Sequence, residues 1–333
     1  MRVHDAENGV RVERLVDHPI ISTLTDPSIG VNIQGPSLIR VPDWIENPLG
    51  KYYLYFADHK GSYIRLAFAE NLEGPWTVYK PGTLQLAQSH FLTEQPEVPQ
   101  EDVAKALRYM RNVLGDTVRS DEELLGDLIV PHIASPDVHV DHDNKRIVMY
   151  FHGLNAFASQ VSRVALSSDG LKFEALPQVL GRPYMRAMKR GQATWVLAMP
   201  GVFYRSSDGV TDFKEGPKLF NKHMRHAALL RRRDTLYVFW TQVGDTPESV
   251  LLSTIDVSGS WKDWKDSEPV VVLRPERDWE GADAPLEPSR RSTAEGPVNQ
   301  LRDPAIFEED GRVFLLYAVA GESGIAIAEI FFD

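Results

Sequence analysis

Five short stretches in which almost every residue is apolar recur along the chain. They read YYLYF (52–56), RIVMYF (146–151), TWVLAM (194–199), LYVFW (236–240) and VFLLYA (313–318). An uninterrupted apolar run of this length, without polar alternation, is typical of a β-strand that is buried on both faces. The pattern therefore predicts five equivalent strands, each sandwiched between neighbouring layers of structure.

Polar turns and a second set of strands surround these stretches. The turns HDNKR, KRGQ, RRRDT and EEDGR precede four of them, and strands of small alternating residues follow all five: IRLAFA, SRVALSS, VFYRSS, VLLSTID and GIAIAEI. These are the signals of consecutive β-hairpins. The segments SSDGLKF (167–173) and SSDGVTDF (206–213) repeat the same turn at a spacing of about 40 residues, the length of one four-stranded propeller blade.

The repeat predicts an all-β protein, a five-bladed β-propeller that forms one domain over residues 1–333. The fifth blade lacks a fourth strand after GIAIAEI, and we expect VRVERLV (10–16) to supply it and close the ring. One segment, about 97–128, breaks the pattern with helical spacing of apolar residues in EDVAKALRYMRNVL. It predicts a helical insertion between blades one and two, which would serve either as a lid or as a contact in a homo-oligomer.

Composition narrows the functional classes. The 333 residues are 43% hydrophobic and 25% charged, as in a folded protein with a large core. A net charge of -11 argues against a nucleic-acid surface, and the absence of cysteine excludes disulfides and thiolate sites. No apolar run reaches about 18 residues and the first residues contain no signal-peptide core, so we expect a cytoplasmic protein without a membrane partner.

Propeller topology converts sequence position into a list of candidate ligand-binding residues. The first strand of every blade starts at the central channel, and the loop between the second and third strands opens on the same face. The strand starts carry Asn32, Gln34, His132, Asp137, Tyr184, Arg186, Arg225, His226, Arg302 and Asp303. The loops add Asp58, His59, His152 and Glu322, whereas Lys60 and Gln242 are expected to be ordinary surface residues.

Two segments resemble a known enzyme family. SPDVHVDHDNKRIVMYFHG (135–153) and LRDPAIFEEDGRVFLLYA (301–318) are similar to the blade-opening segments of glycoside hydrolase family 43, and Ala-Glu-Gly-Pro (294–297) resembles the strand start that bears the general acid there. The first blade departs from the family because NIQGPSLIR has no carboxylate at the place of the general base. Blade two reads Ser-Pro-Asp instead of Asp-Pro. The chain is therefore more similar to a divergent branch such as family 117, in which a histidine resembling His226 serves as acid.

The resemblance implies a glycosidase, and glycosidic cleavage needs a proton donor and a second carboxylate. The candidates are Asp303, Asp137 and Glu295, with His226 as an alternative proton donor. No cofactor is expected, and no spacing typical of a catalytic metal site occurs.

Arginines near the strand starts raise a question about the ligand. Arg182, Arg186, Arg225 and Arg302 would either bind an acidic group of the substrate or pair with carboxylates of the channel. The favoured function is an exo-acting glycoside hydrolase on oligosaccharides. The alternatives are a sugar phosphorylase, in which arginines hold phosphate, and a non-catalytic carbohydrate-binding propeller.

Overall fold

The computed structural model of the protein describes residues 9–117, 120–294 and 296–332, and it is a five-bladed β-propeller. Every blade is an antiparallel sheet, which confirms the predicted fold class. The first strands of the chain, including all of blade one, are β1 (Val10–Arg14), β2 (Ile21–Ser22), β3 (Gln34–Arg40), β4 (Tyr52–Ala57), β5 (Tyr63–Ala69), β6 (Thr77–Val78) and β7 (Leu84–Gln85).

The remaining strands form blades two to five. Blade two contains β8 (Ile133–Asp141), β9 (Arg146–Ala156), β10 (Ser159–Ser167) and β11 (Glu174–Ala175); blade three contains β12 (Arg186–Arg190), β13 (Ala193–Ala198), β14 (Val202–Ser206) and β15 (Lys214–Lys218). Blade four contains β16 (Met224–Arg232), β17 (Thr235–Gln242), β18 (Val250–Asp256) and β19 (Val270–Leu273), and blade five β20 (Arg302–Glu309), β21 (Arg312–Val319) and β22 (Gly324–Phe332).

The ring closes through the N-terminal segment, as predicted. Strand β1 pairs antiparallel with β22, with Val10 opposite Phe332 and Arg14 opposite Ala328. The outer edge of blade five is thereby covered by a strand from the other end of the described chain. This pairing ties the first blade to the last and protects a sheet edge that would otherwise be open.

The core is divided among the five interfaces between blades. All six residues of β4 are buried, and each of the five buried apolar clusters joins side chains from two neighbouring blades. The repeated Ser-Ser-Asp-Gly turns link the third and fourth strands of blades two and three. Each receives a hydrogen bond from the preceding blade, because Tyr55 Oη donates to the carbonyl of Gly170 and Tyr150 Oη to that of Gly209.

The helical insertion consists of α1 (Gln100–Leu114) and α2 (Asp121–Ile129), between blades one and two as predicted. Helix α2 starts with a capping box, in which Ser120 and Glu123 each accept a backbone N–H from the other. Single 3-10 turns occur at Pro27–Ile29, Leu86–Gln88, Gly115–Thr117, Trp261–Asp263 and Asp278–Glu280. Within the described ranges, no helix has the length and apolar character needed to cross a membrane.

Candidate active site

A shared backbone irregularity opens the inner strands at the channel. The pairing between first and second strands shifts register between Gln34 and Ser37, between Ala134 and Asp137, and between Arg302 and Ala305. In each case the first residue inside the bulge has a positive φ and precedes proline, which has no N–H to offer the ladder. These equivalent residues are Gly35, Ser135 and Asp303, with φ of 64°, 49° and 47°.

The bulge explains why blade one lacks a carboxylate. The bulges of blades one and two pack directly against each other, since a Cβ at Gly35 would lie 2.9 Å from Ser135 Cα. This position therefore favours glycine and has no room for the side chain of an acid. Of these three equivalent positions, only the one in blade five carries an acid. Asp137 is two residues further along its strand and corresponds to Ser37 and Ala305 instead.

A cavity of about 370 Å³ lies over the strand starts. Five of the residues named from the sequence line it, namely His59, Arg182, Tyr184, Arg225 and His226. Loops between second and third strands contribute as expected, through Ala158, Met199 and Pro200. The insertion lies over the opening with Met110 and Leu114 of α1 and Asp127 and Leu128 of α2, the place expected of a lid.

Asp127 holds this lid in place. Its carboxylate forms an ion pair with Lys60 and accepts a 2.9 Å hydrogen bond from Ser292 Oγ, while its carbonyl accepts from Gln160 Nε2. The expectation that Lys60 is an ordinary surface residue was wrong, because its side chain is only 22% exposed and its ammonium group pairs with Asp127 of the insertion. Nothing in the local sequence of either residue signals this long-range contact.

His226 and Asp303 form a buried pair at the floor of the cavity. His226 Nε2 is 3.4 Å from Asp303 Oδ1, and the backbone N–H of Asp303 donates to His226 Nδ1 at 3.3 Å. Because Nδ1 accepts, the neutral ring carries its proton on Nε2. Burial, followed by the positive charges of Arg225 and Arg302, holds the pKa of His226 well below its usual range.

Asp303 is a buried channel carboxyl with a raised pKa. Its side chain is 1% exposed, and neither of its oxygens has a hydrogen-bond partner among the described residues. Burial, together with repulsion from Glu322, raises the pKa of Asp303 to about 6, against the opposing effect of nearby arginines. This carboxyl can therefore take up or release a proton near neutral pH.

Glu322 has the opposite character. It accepts hydrogen bonds from Arg302 Nη1 at 2.7 Å, from Asn32 Nδ2 at 2.6 Å and from His59 Nδ1 at 3.2 Å. Burial alone would raise the pKa of Glu322, but His59 and Arg302 hold it far below its usual range. Two neighbouring carboxyls whose pKa values are driven apart are typical of acid–base sites.

A stack of aromatic and histidine rings extends from His226. The centroid of Tyr184 is 5.2 Å from that of His226 and 4.1 Å from that of His152, and His152 is 5.8 Å from His132. His132 Nδ1 donates to the carbonyl of Val130 at 2.8 Å, and burial lowers the pKa of His132 to about 4. The histidines of this stack are therefore neutral, and they form an uncharged wall.

Arg186 spans the channel between blades. Its guanidinium donates to the carbonyls of Ser135, Pro136 and Ala227, which belong to the two neighbouring blades. It lines neither large cavity of the described structure. Backbone carbonyls occupy its Nε and Nη1, which gives Arg186 a structural role, and its role in substrate binding stays a prediction.

Asp137 is not brought together with His226. It lines a second cavity of about 630 Å³ at the opposite end of the channel, where its Oδ2 accepts from His139 Nε2 and from the backbone N–H of Ala187, both at 2.7 Å. Although burial raises it, the pKa of Asp137 is lowered overall by His139 and Arg186. The two-residue displacement past the bulge is the reason for this separation.

Other predicted residues have supporting places. Gln34 accepts a hydrogen bond from Ser135 Oγ at 3.3 Å, and Asp58 is a partly exposed residue 3.4 Å from Arg65 Nη2. Glu295 lies outside the described residues, so its catalytic role stays a prediction. Among the described residues, no group of three or more histidines and carboxylates is arranged to hold a metal ion.

Comparisons with known proteins give a sequence relative and a set of structural neighbours. An uncharacterized protein of Acanthamoeba polyphaga mimivirus is 34% identical over 326 residues, which cover 90% of this chain and 84% of that protein. No family model matches the sequence.

The structural neighbours are five-bladed glycoside hydrolases. An exo-1,5-α-L-arabinanase from a bovine ruminal metagenomic library aligns with a TM-score of 0.54 at 12% identity, over 91% of this chain and 94% of that one. A family 43 β-xylosidase/α-arabinofuranosidase from a compost metagenome, solved with xylotriose, aligns with a TM-score of 0.56 at 11% identity, over 96% and 94%. The fold is thus that of family 43, whereas the likeness to family 117 stays a prediction.

Proposed function

The chain belongs to the same family as the mimivirus protein, and we propose that it is a glycoside hydrolase that cleaves sugar units from the ends of oligosaccharides. The fold supports this proposal, since it is shared with an exo-acting arabinanase and with an exo-β-1,3-galactanase from Phanerochaete chrysosporium that was solved with galactotriose. At about 10% identity such likeness establishes the fold alone, so the activity has to be argued from the site.

The observation that carries the proposal is the state of Asp303. A buried carboxyl without hydrogen bonds is unfavourable for stability, and such groups persist mainly where function requires them. Its pKa of about 6 suits proton transfer near neutral pH. Its position at the start of an inner strand places it directly behind His226, which lines the cavity.

We assign proton transfer to the Asp303–His226 pair. Asp303 donates the proton near neutral pH, and the neutral His226, which lines the cavity with its Nε2 toward Asp303 Oδ1, positions that carboxyl. The 3.4 Å separation is long for a hydrogen bond, as catalytic contacts often are before the substrate binds. Glu295 remains the predicted second carboxylate.

The lid supports end-wise cleavage. A cavity of about 370 Å³, bordered by α1 and α2, has the size expected for a short sugar unit. An open groove would be expected for an enzyme that cuts within long chains.

A panel of aryl glycosides tests the proposed function directly. We expect the protein to release the aryl alcohol from at least one member of a set that includes pyranosides, furanosides and uronides. Each assay is run with and without inorganic phosphate. If no glycoside is cleaved under either condition while sugars still bind, the protein is a carbohydrate-binding propeller and the proposal fails.

The pH profile of kcat/KM tests the role of Asp303. We expect an inflection near pH 6, where this carboxyl titrates. Because the negative charge of Glu322 raises the pKa of Asp303, the substitution Glu322→Gln should move the inflection to lower pH. An inflection that stays in place would show that another group controls the rate.

A further inference from the structure

The wall of the cavity of about 370 Å³ over the strand starts carries an excess of positive charge. Arg182, Arg225 and Arg291 line it, whereas Asp127 is the single carboxylate among its described lining residues. That carboxylate is already bound to Lys60 and Ser292. This local excess contrasts with the net charge of -11 for the whole chain.

The arginines of the channel divide into two groups. The charge of Arg302 is paired with buried carboxylates, since its guanidinium is 2.7 Å from Glu322 Oε1 and 3.7 Å from Glu248 Oε2. Arg186 is likewise occupied, by backbone carbonyls. The two arginines that sequence analysis placed with them, Arg182 and Arg225, instead reach the cavity.

Arg291 joins the cavity group, although its sequence position gave no signal. Its Nη2 donates to the carbonyl of Lys222 at 3.0 Å, while its buried Nε has no partner in the described part of the chain. Burial, and then the neighbouring Arg225, lowers the pKa of Arg291 to about 10. Two guanidinium groups therefore repel each other at this wall.

Among the described residues, Arg225 is the one member of the three with a carboxylate partner. Its Nη1 is 3.4 Å from Glu248 Oε2, a group that it shares with Arg302. For Arg182 and Arg291, no carboxylate of the described residues lies within 4.0 Å. A bound anion would relieve the repulsion and satisfy the free donors, and guanidinium groups bind oxyanions through paired hydrogen bonds.

We propose that Arg182, Arg225 and Arg291 form an oxyanion-binding subsite beneath the helical lid. This inference rests on the proposed function and names its substrate class. The oxyanion is either an acidic group of the sugar, such as a uronate carboxylate, or free phosphate that takes the place of water. In the second case the glycosidic C–O bond breaks, a phosphate oxygen bonds to the anomeric carbon, and the leaving oxygen takes the proton.

Calorimetric titration tests the subsite without relying on catalysis. The probes are glucuronate and galacturonate, the neutral sugars glucose and galactose as their matched partners, and inorganic phosphate. We expect at least one anionic probe to bind, and Arg182→Gln and Arg291→Gln each to weaken that binding by about tenfold or more. The exposed Arg108→Gln on α1, which removes the same charge outside the cavity, should leave the affinity unchanged.

The outcomes separate the two sources and the two proposals. Tighter binding of a uronate than of its neutral partner assigns the anion to the sugar, and phosphate binding with formation of a sugar 1-phosphate assigns it to the co-substrate. Absence of binding by every anionic probe, or wild-type affinity in both cavity variants, overturns the subsite even if neutral glycosides are hydrolysed. Anion binding without cleavage of any glycoside instead overturns the proposed function and leaves the subsite standing.

Discussion

Replacing Asp303 by asparagine is expected to reduce turnover by at least about 100-fold, the usual contribution of a positioned acid–base group. Asparagine keeps the size and shape of the side chain and tolerates the positive φ of 47° at this bulge. It removes only the capacity to hold an exchangeable proton behind His226. The rate is measured on whichever aryl glycoside the wild-type protein cleaves fastest.

The same substitution should not destabilise the protein. Because the pKa of Asp303 rises from 3.8 in the unfolded chain to about 6 in the folded one, its ionised form opposes folding by about 3 kcal/mol above pH 6. This cost disappears below the unfolded pKa. Wild-type stability should therefore fall as the pH rises from 4 to 6, relative to the asparagine variant.

Asp310→Asn is the matched control. Asp310 lies in the turn after the same inner strand, also at a positive φ, of 52°, but it is exposed and distant from the channel mouth. This variant should retain full activity. If Asp303→Asn retains it as well, the pair at the cavity floor has no part in catalysis.

The second large effect concerns stability. Arg302→Met is expected to cost about 3–5 kcal/mol of unfolding free energy, because the loss of one partner leaves buried carboxylates uncompensated. Arg302 is 0% exposed and holds Glu322 at 2.7 Å, while Glu248, also 0% exposed, lies 3.7 Å away. Its guanidinium also donates to the carbonyls of Arg290 and Ser292, so the loop beside the cavity loses two anchors.

Chemical denaturation of Arg302→Met, compared with that of the control variant Arg312→Met, measures this cost. Arg312 belongs to the same blade and pairs with Glu329 at 2.6 Å, yet its side chain is 51% exposed, so its loss should cost less than about 1 kcal/mol. Similar losses in the two variants would contradict the view that the buried network around Glu322 organises the site.

Much of the fold was predictable because strands buried between blades consist of apolar residues, and this is visible in the local sequence. A second strand such as YYLYF has neighbours on both faces, so every one of its positions is apolar, and the polar turns around it mark the hairpins. The fourth strand of blade five was also predictable, since one blade lacked a strand and one segment lacked a partner.

The site was predictable only in outline. Topology gathers the strand starts at one mouth, so His59, Tyr184, Arg225 and His226 were found without knowledge of their neighbours. Asp137 was misplaced because the sequence alone did not reveal that the Ser-Pro bulge moves it to the other cavity. Arg291 was missed because it belongs to an irregular loop. Such a loop has no regular repeat of side-chain orientation, so the sequence position does not show which way a side chain points.

The sequence by itself determined the number of blades, their strand order and several residues at the channel mouth, because these follow from local polarity and chain connectivity. The tertiary structure alone decided which arginines face the cavity, which carboxyl holds a proton near neutral pH and where the lid rests. Those properties depend on burial and on distances between charges from different blades. The pKa of Asp303, for example, is raised by burial and by Glu322 from the following hairpin loop and lowered by arginines of blades three, four and five.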